Sequence, residues 1–269
     1  MLPRRAGLSV ELEVVLPDEE PTMDPATLVE LAGLAEELGY RTAWLPDHLL
    51  PPGPFGGVYG GVYEPLVTLS YLAARTSAIR LGTSVLVLPM RNAFAVAKQA
   101  ATLHRLSGER LTLGVGVGWD RAEFATVGAD FSTRGARTDE ALALLRDLFA
   151  GEPSRGVFEP VPRAPLPIMV GGVSGPALRR AARFADEWQA VGVTPAGFAR
   201  GVSRLRELTG RRIRVTARLD WRGGAAELAR AVADVRGFAE AGADAVAVHF
   251  GPAEGTRTRL GEFTHALSG

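Results

Sequence analysis

Short apolar runs alternate with longer amphipathic ones along almost the whole chain, and that alternation limits the fold more than any other feature of the sequence. Strands are expected over 8–16, 41–46, 80–88, 110–117, 167–170, 187–191, 212–219 and 243–250. Helices are expected over 24–38, 64–77, 93–106, 133–149, 176–184, 196–209, 225–241 and 254–267. The first helix has a clear start and stop: Asp24-Pro25 offers an N-cap with proline at the first helical position, and Gly39 follows the last apolar position. Strands that alternate with helices imply a parallel sheet. Eight strand–helix units in 269 residues fit one closed (β/α)8 TIM barrel spanning residues 1–269, with a doubly wound open sheet as the alternative.

Composition narrows the chemistry. There is no cysteine, so disulfides, thiolate catalysis, iron–sulfur clusters and Cys-built zinc sites are excluded. The four histidines show no HxxxH or HExxH spacing, and no metal is expected. Thirty basic residues balance thirty acidic ones, which argues against nucleic acid or an anionic membrane as partner. No apolar stretch is long enough for a membrane span and no targeting segment is evident, so a cytoplasmic protein acting on a small molecule is the expectation.

In a barrel of this kind the connections after the strands form the active face. The longest of these follow the second strand (49–63) and the fourth (119–132). Asp47-His48 stands just after the second strand. A histidine there can move a proton near neutral pH, with the aspartate holding a ligand or a loop; a capped strand end with a packed imidazole fits the same residues. The glycine- and proline-rich stretch 51–61 suits a mobile loop over a site or an ordinary surface loop. Ser84-Val85 lies within an apolar strand, where a small polar residue marks either ligand approach or an internally satisfied hydroxyl. Gly114, Gly116 and Gly118 close the fourth strand in GxGxG spacing, which is not the dinucleotide-binding fingerprint. These glycines admit a flat ligand or relieve crowding inside the barrel. Gly171-Gly172-Val173 leads into a helix and could cradle a phosphate, or form only a tight turn. His249 ends the last strand and could line a substrate pocket or simply pack.

Four segments together resemble the luciferase-like monooxygenase superfamily, in particular its coenzyme F420-dependent oxidoreductases. They are GYRTAWLPDHL (39–49), LGTSVLVLPMRNAFAVAKQAATLHRLSGERLTLGVGVGWDRAEF (81–124), RGARTDEALALLRDLF (134–149) and PIMVGG (167–172). The resemblance implies a deazaflavin, or alternatively FMN, at the C-terminal end of the barrel. It implies His48 as proton donor, Asp47 against the ring system, and a non-prolyl cis peptide at Ser84-Val85 behind the ring. Val117, Gly118 and Trp119 would pass beside the cofactor, and Gly171, Gly172 and Val173 would meet its phosphate region. A homodimer through helices near the third strand is common among such proteins.

Two departures matter. Sugar-phosphate dehydrogenases of the superfamily carry a glutamate where this chain has Trp119. FMN-using luciferases carry an arginine where it has Val117, which favours F420. A cofactor-free lyase or isomerase acting on a phosphorylated substrate is the rival from another class. Its Schiff-base form is disfavoured because the one lysine, Lys98, falls in a helix.

Overall fold

A computed structural model describes residues 10–50, 61–152 and 156–268. The expected alternation is present. The chain runs β1 (Glu11–Val15), α1 (Pro25–Glu37), β2 (Thr42–Leu45), α2 (Pro65–Ala73), β3 (Arg80–Thr83), β4 (Leu86–Val87), a 3-10 turn (Leu88–Met90), α3 (Ala93–Leu106) and β5 (Leu111–Gly116). It continues through α4 (Arg121–Thr126), α5 (Arg134–Phe149), β6 (Ile168–Gly171), α6 (Gly175–Phe184), β7 (Glu187–Val191), α7 (Pro195–Leu208), β8 (Arg214–Asp220), α8 (Ala225–Glu240), β9 (Ala245–His249) and α9 (Thr256–Ser268).

All pairings are parallel, in the order β3-β2-β1-β9-β8-β7-β6-β5-β4, and a further β3–β5 pairing closes the sheet into a barrel. β3 and β4 are two halves of one stave. The stretch read as a single strand over 80–88 is interrupted at Ser84-Val85, whose peptide is cis, and ends in the 3-10 turn around Pro89. The open-sheet alternative is therefore set aside.

Two apolar layers hold the barrel. The larger lies between the strands and the helices and runs from Leu12 and Val14 around to Val246 and Val248. The smaller fills the bore and consists of Val15, Trp44, Met169 and Ala247, with Val85 packed on it. Trp44 fits there only because glycine stands opposite: a Cβ on Gly82 would come within 2.3 Å of its ring. Gly114 is tighter still, with Thr83 O at 1.9 Å from the position a Cβ would take.

Below this layer the bore is ionic. Glu13 and Glu187, both buried, meet Arg214 at 2.9 Å, and Glu13 also accepts hydrogen bonds from Thr42 Oγ1 and Trp44 Nε1. The strand ends opposite to this network form the mouth.

α2 stops earlier than its apolar pattern implies, and polar groups explain why. The Glu36 carboxylate accepts the amides of Ser77, Ala78 and Ile79 at 2.8–3.3 Å, which draws them out of a helical path. Arg110 donates to the carbonyls of Ala73, Thr76 and Ile79 and so satisfies the frayed C-terminus. Among the described residues, no helix is long and apolar enough to cross a membrane.

Candidate active site

A cavity of about 300 Å³ opens at the mouth, near the lower end of the range typical for small-molecule sites. Pro46, Asp47 and His48 reach it from the end of β2, Ser84, Val85 and Val87 from the broken third stave, and Val117, Gly118 and Trp119 from the end of β5. Gly171, Gly172, Val191 and Arg218 complete it from β6, β7 and β8. Nine of the eleven candidate residues thus share one wall. Val173 is half-exposed just beyond it, and His249 does not line it. Its ring is buried between Asp220 Oδ1 at 3.4 Å and Glu19 Oε2 at 3.8 Å. Of the stretch 51–61, read as a mobile loop over the site or an ordinary surface loop, residues 51–60 lie outside the described residues.

Val85 forms the floor. The Cβ atoms that Gly116 and Gly171 lack would fall 2.5 and 2.7 Å from its methyl groups, so two glycines make room for one branched side chain. Gly118 adopts φ +74, a conformation suited to glycine, and turns the chain tightly against Phe124 and Val87. The wall is therefore mostly glycine backbone and apolar side chain.

Asp47 holds structure together. Its Oδ2 accepts the Val87 amide at 2.8 Å and its Oδ1 accepts Arg91 Nη2 at 2.7 Å, while Arg91 Nη1 reaches Glu64 at 2.8 Å. Burial holds the Asp47 carboxyl above its ordinary value, and Arg91 and the Val87 amide offset only part of that rise. Both oxygens are committed to fixing the β4 edge relative to β2, the loop-holding reading of this residue. Ser84 is similar: its hydroxyl donates to Gln189 Oε1 at 2.6 Å, an internally satisfied group at the edge of the cavity.

His48 is different. Its Nδ1 lies 2.7 Å from Glu123 Oε2, and its ring meets Trp119 edge-on with centroids 5.8 Å apart. With Nδ1 engaged, Nε2 is the nitrogen left for the cavity. Glu123 belongs to α4, which the sequence pattern presents only as part of the connector over 119–132. Asp120 caps that helix by accepting the amides of Ala122 and Glu123 at 3.1 Å. The Asp120-x-x-Glu123 spacing is the one available signal for this helix. It would assign Glu123 to the cap, whereas its carboxylate turns to His48 instead.

The glycine cradle is narrower than its sequence suggests. The Gly172 amide donates to Gln189 O at 3.1 Å, which takes it out of the set available to an anion. Ser174 caps α6 through Ala177 N, so Val173 and the first turn of α6 are what remain.

Just beyond β1, Asp18 is buried, and its carboxylate has no side-chain partner among the described residues. Burial pushes it up to about 7, against a smaller pull from the backbone of Tyr63 and Val62. The folded protein thus keeps a proton that the unfolded chain releases near its ordinary value of 3.8. The associated stability is present below pH 4 and lost as pH rises through 7. Asp18→Asn is expected to leave urea stability unchanged at pH 4 and to raise it by roughly 2–4 kcal/mol at pH 8. Equal effects at both pH values would contradict this assignment.

The comparisons with known proteins agree with this architecture. A model of the luciferase-like monooxygenase family matches residues 8–222. The chain belongs to that family. An uncharacterized protein of Mycobacterium tuberculosis is 34% identical over 212 residues, covering 70% of this chain and 73% of its own length. An F420-dependent glucose-6-phosphate dehydrogenase of Amycolatopsis mediterranei is 37% identical over 134 residues, 48% of this chain and 39% of the relative. A 4-hydroxyprotoasukamycin monooxygenase of Streptomyces nodosus subsp. asukaensis is 33% identical over 145 residues, 54% and 36% of the two chains. Among solved structures, an F420-dependent secondary alcohol dehydrogenase with an F420–acetone adduct superposes with a TM-score of 0.80. It covers 96% of this chain and 99% of its own at 15% identity, a likeness of fold. The luciferase-like family thus includes relatives named for F420-dependent oxidation and others named as monooxygenases.

Proposed function

We propose that this chain is an F420-dependent oxidoreductase that moves a hydride between the deazaflavin and a small organic substrate at the barrel mouth, with His48 giving or taking the accompanying proton. One observation carries the reading: an imidazole whose Nδ1 is fixed by a buried carboxylate stands at the edge of an apolar, glycine-lined cavity. The relatives named for F420 support the choice of cofactor.

The residues fit a flat ring system. Val85 would support it from below, Val117, Gly118 and Trp119 would flank it, and Gly171 with Val173 and the start of α6 would hold its phosphate end. When bound, F420 supplies hydride-transfer chemistry. The chain's part is to exclude water, to orient and to handle the proton. Val87, Val117 and Trp119 make the surroundings apolar. Hydride arriving at one end of a polarised substrate double bond leaves negative charge at the other, and a proton on His48 Nε2 neutralises it. In the reverse direction the same nitrogen accepts that proton. Asp47 holds the wall in place and takes no part in proton transfer.

A parallel titration with F420, FMN and NADPH, followed by fluorescence quenching, tests this. Saturable quenching by F420, with weaker responses to the other two, is expected. Preferential binding of FMN, with oxygen consumed on its reduction, would instead make the chain an FMN monooxygenase. Absence of binding by all three would return the cofactor-free rival.

A further inference from the structure

We propose that Glu123 is a positioning residue that decides which nitrogen of His48 carries the proton. The inference deepens the proton role given to His48 above and rests on that reading for its catalytic meaning. Its structural content stands independently.

The geometry leaves little freedom. Glu123 Oε1 accepts two backbone amides, those of Leu49 at 2.7 Å and Leu50 at 3.0 Å, and is saturated by them. Glu123 Oε2 is left for His48 Nδ1 at 2.7 Å. Both partners are buried, with the Glu123 side chain 1% and the His48 side chain 5% exposed. An ionised carboxylate only accepts hydrogen bonds, so Nδ1 must present a hydrogen to it. In the neutral ring the proton therefore sits on Nδ1, and the lone pair of Nε2 is left on the cavity side. When Nε2 gains a proton, the same carboxylate faces the positive ring at hydrogen-bond distance. Glu123 is held for this task by Asp120, which caps its amide, and by the two amides that follow His48 in the chain.

Glu123→Gln makes a sharp prediction. The Leu49 and Leu50 amides still demand an oxygen at the Oε1 position. The glutamine amide nitrogen must then take the place of Oε2 and donate to His48 Nδ1, so the ring proton moves to Nε2. The substitution keeps size and shape and inverts the tautomer.

The test is 15N NMR of the imidazole nitrogens in the cofactor-free protein. With four histidines in the chain, His48 is assigned by its loss in His48→Asn. Wild type is expected to show protonated Nδ1, Glu123→Gln protonated Nε2, and Glu123→Ala a mixture of the two. Turnover with F420 is expected to fall about 10²–10⁴-fold in kcat in Glu123→Gln with KM for the substrate nearly unchanged, the range associated with a general acid or base. A wild-type ring protonated on Nε2, or a tautomer unchanged in Glu123→Gln, overturns the proposal. An inverted tautomer with undiminished kcat also overturns it. If wild type never engages F420, the function proposed above fails, while the tautomer result still decides what Glu123 does to His48.

Discussion

His48→Ala is expected to lower kcat by about 10²–10⁴-fold while F420 still binds. The reason lies in what the side chain touches. Its contacts are Glu123 through Nδ1 and the edge of Trp119, neither of which belongs to the floor or the phosphate side of the cavity. On the proposed function, removing the ring takes away proton transfer and leaves Val85, Gly116, Gly118 and Gly171 where they are. Stopped-flow reduction or oxidation of the deazaflavin, measured beside a binding titration, separates the two effects. A loss confined to binding, with turnover at saturation intact, would show that His48 belongs to the cofactor's seat and not to its chemistry.

The second large effect lies at the opposite end of the bore. Arg214 reaches Glu11, Glu13 and Glu187, each at 2.9 Å, and Glu13 and Glu187 are buried. Burial alone opposes the guanidinium charge, but the carboxylates of Glu13 and Glu187 outweigh it and hold Arg214 protonated more firmly than usual. Burial likewise pushes Glu187 up to about 7 even with Arg214 beside it, which shows how little this layer tolerates an unpaired charge. Arg214→Met keeps an apolar stem and removes the cation, so two enclosed carboxylates lose the guanidinium that lies between them. A loss of about 3–5 kcal/mol is expected, and with it a melting temperature lower by roughly 10 °C. Calorimetry and urea unfolding at pH 7.5 read this directly. A change below about 1 kcal/mol would mean that water or rearranged side chains replace the guanidinium and that the ionic layer does not hold the barrel.

These two ends of the bore show what the sequence makes visible. The barrel follows from periodicity because each strand buries both faces and each helix only one. Those are the conditions under which apolar runs of five or six residues and stripes at three-and-four spacing stand out. The placing of Asp47, His48, Gly118, Trp119 and Gly171 at the mouth follows from their positions at strand ends. Roles are harder to read, because they depend on partners far away in the chain. Glu123 is 75 residues from His48, on a helix of six residues that is too short to show a period. Gly172 looks free to bind an anion until β7 arrives beside it and takes its amide. His249 sits at a strand end like His48, but Asp220 and Glu19 enclose its ring, and the cavity forms on the other side of the mouth. Asp47 and His48 are adjacent in sequence, yet one is consumed by Arg91 and Val87 and the other faces the cavity. Only packing distinguishes them.

The most direct measurement is a crystal structure of the protein with F420 bound. The deazaflavin ring is expected to rest on Val85, flanked by Val117 and Trp119, with His48 Nε2 on the side where substrate enters and the phosphate near Val173. A ring bound elsewhere on the surface, with Val85 and His48 untouched by it, would contradict the account at its root.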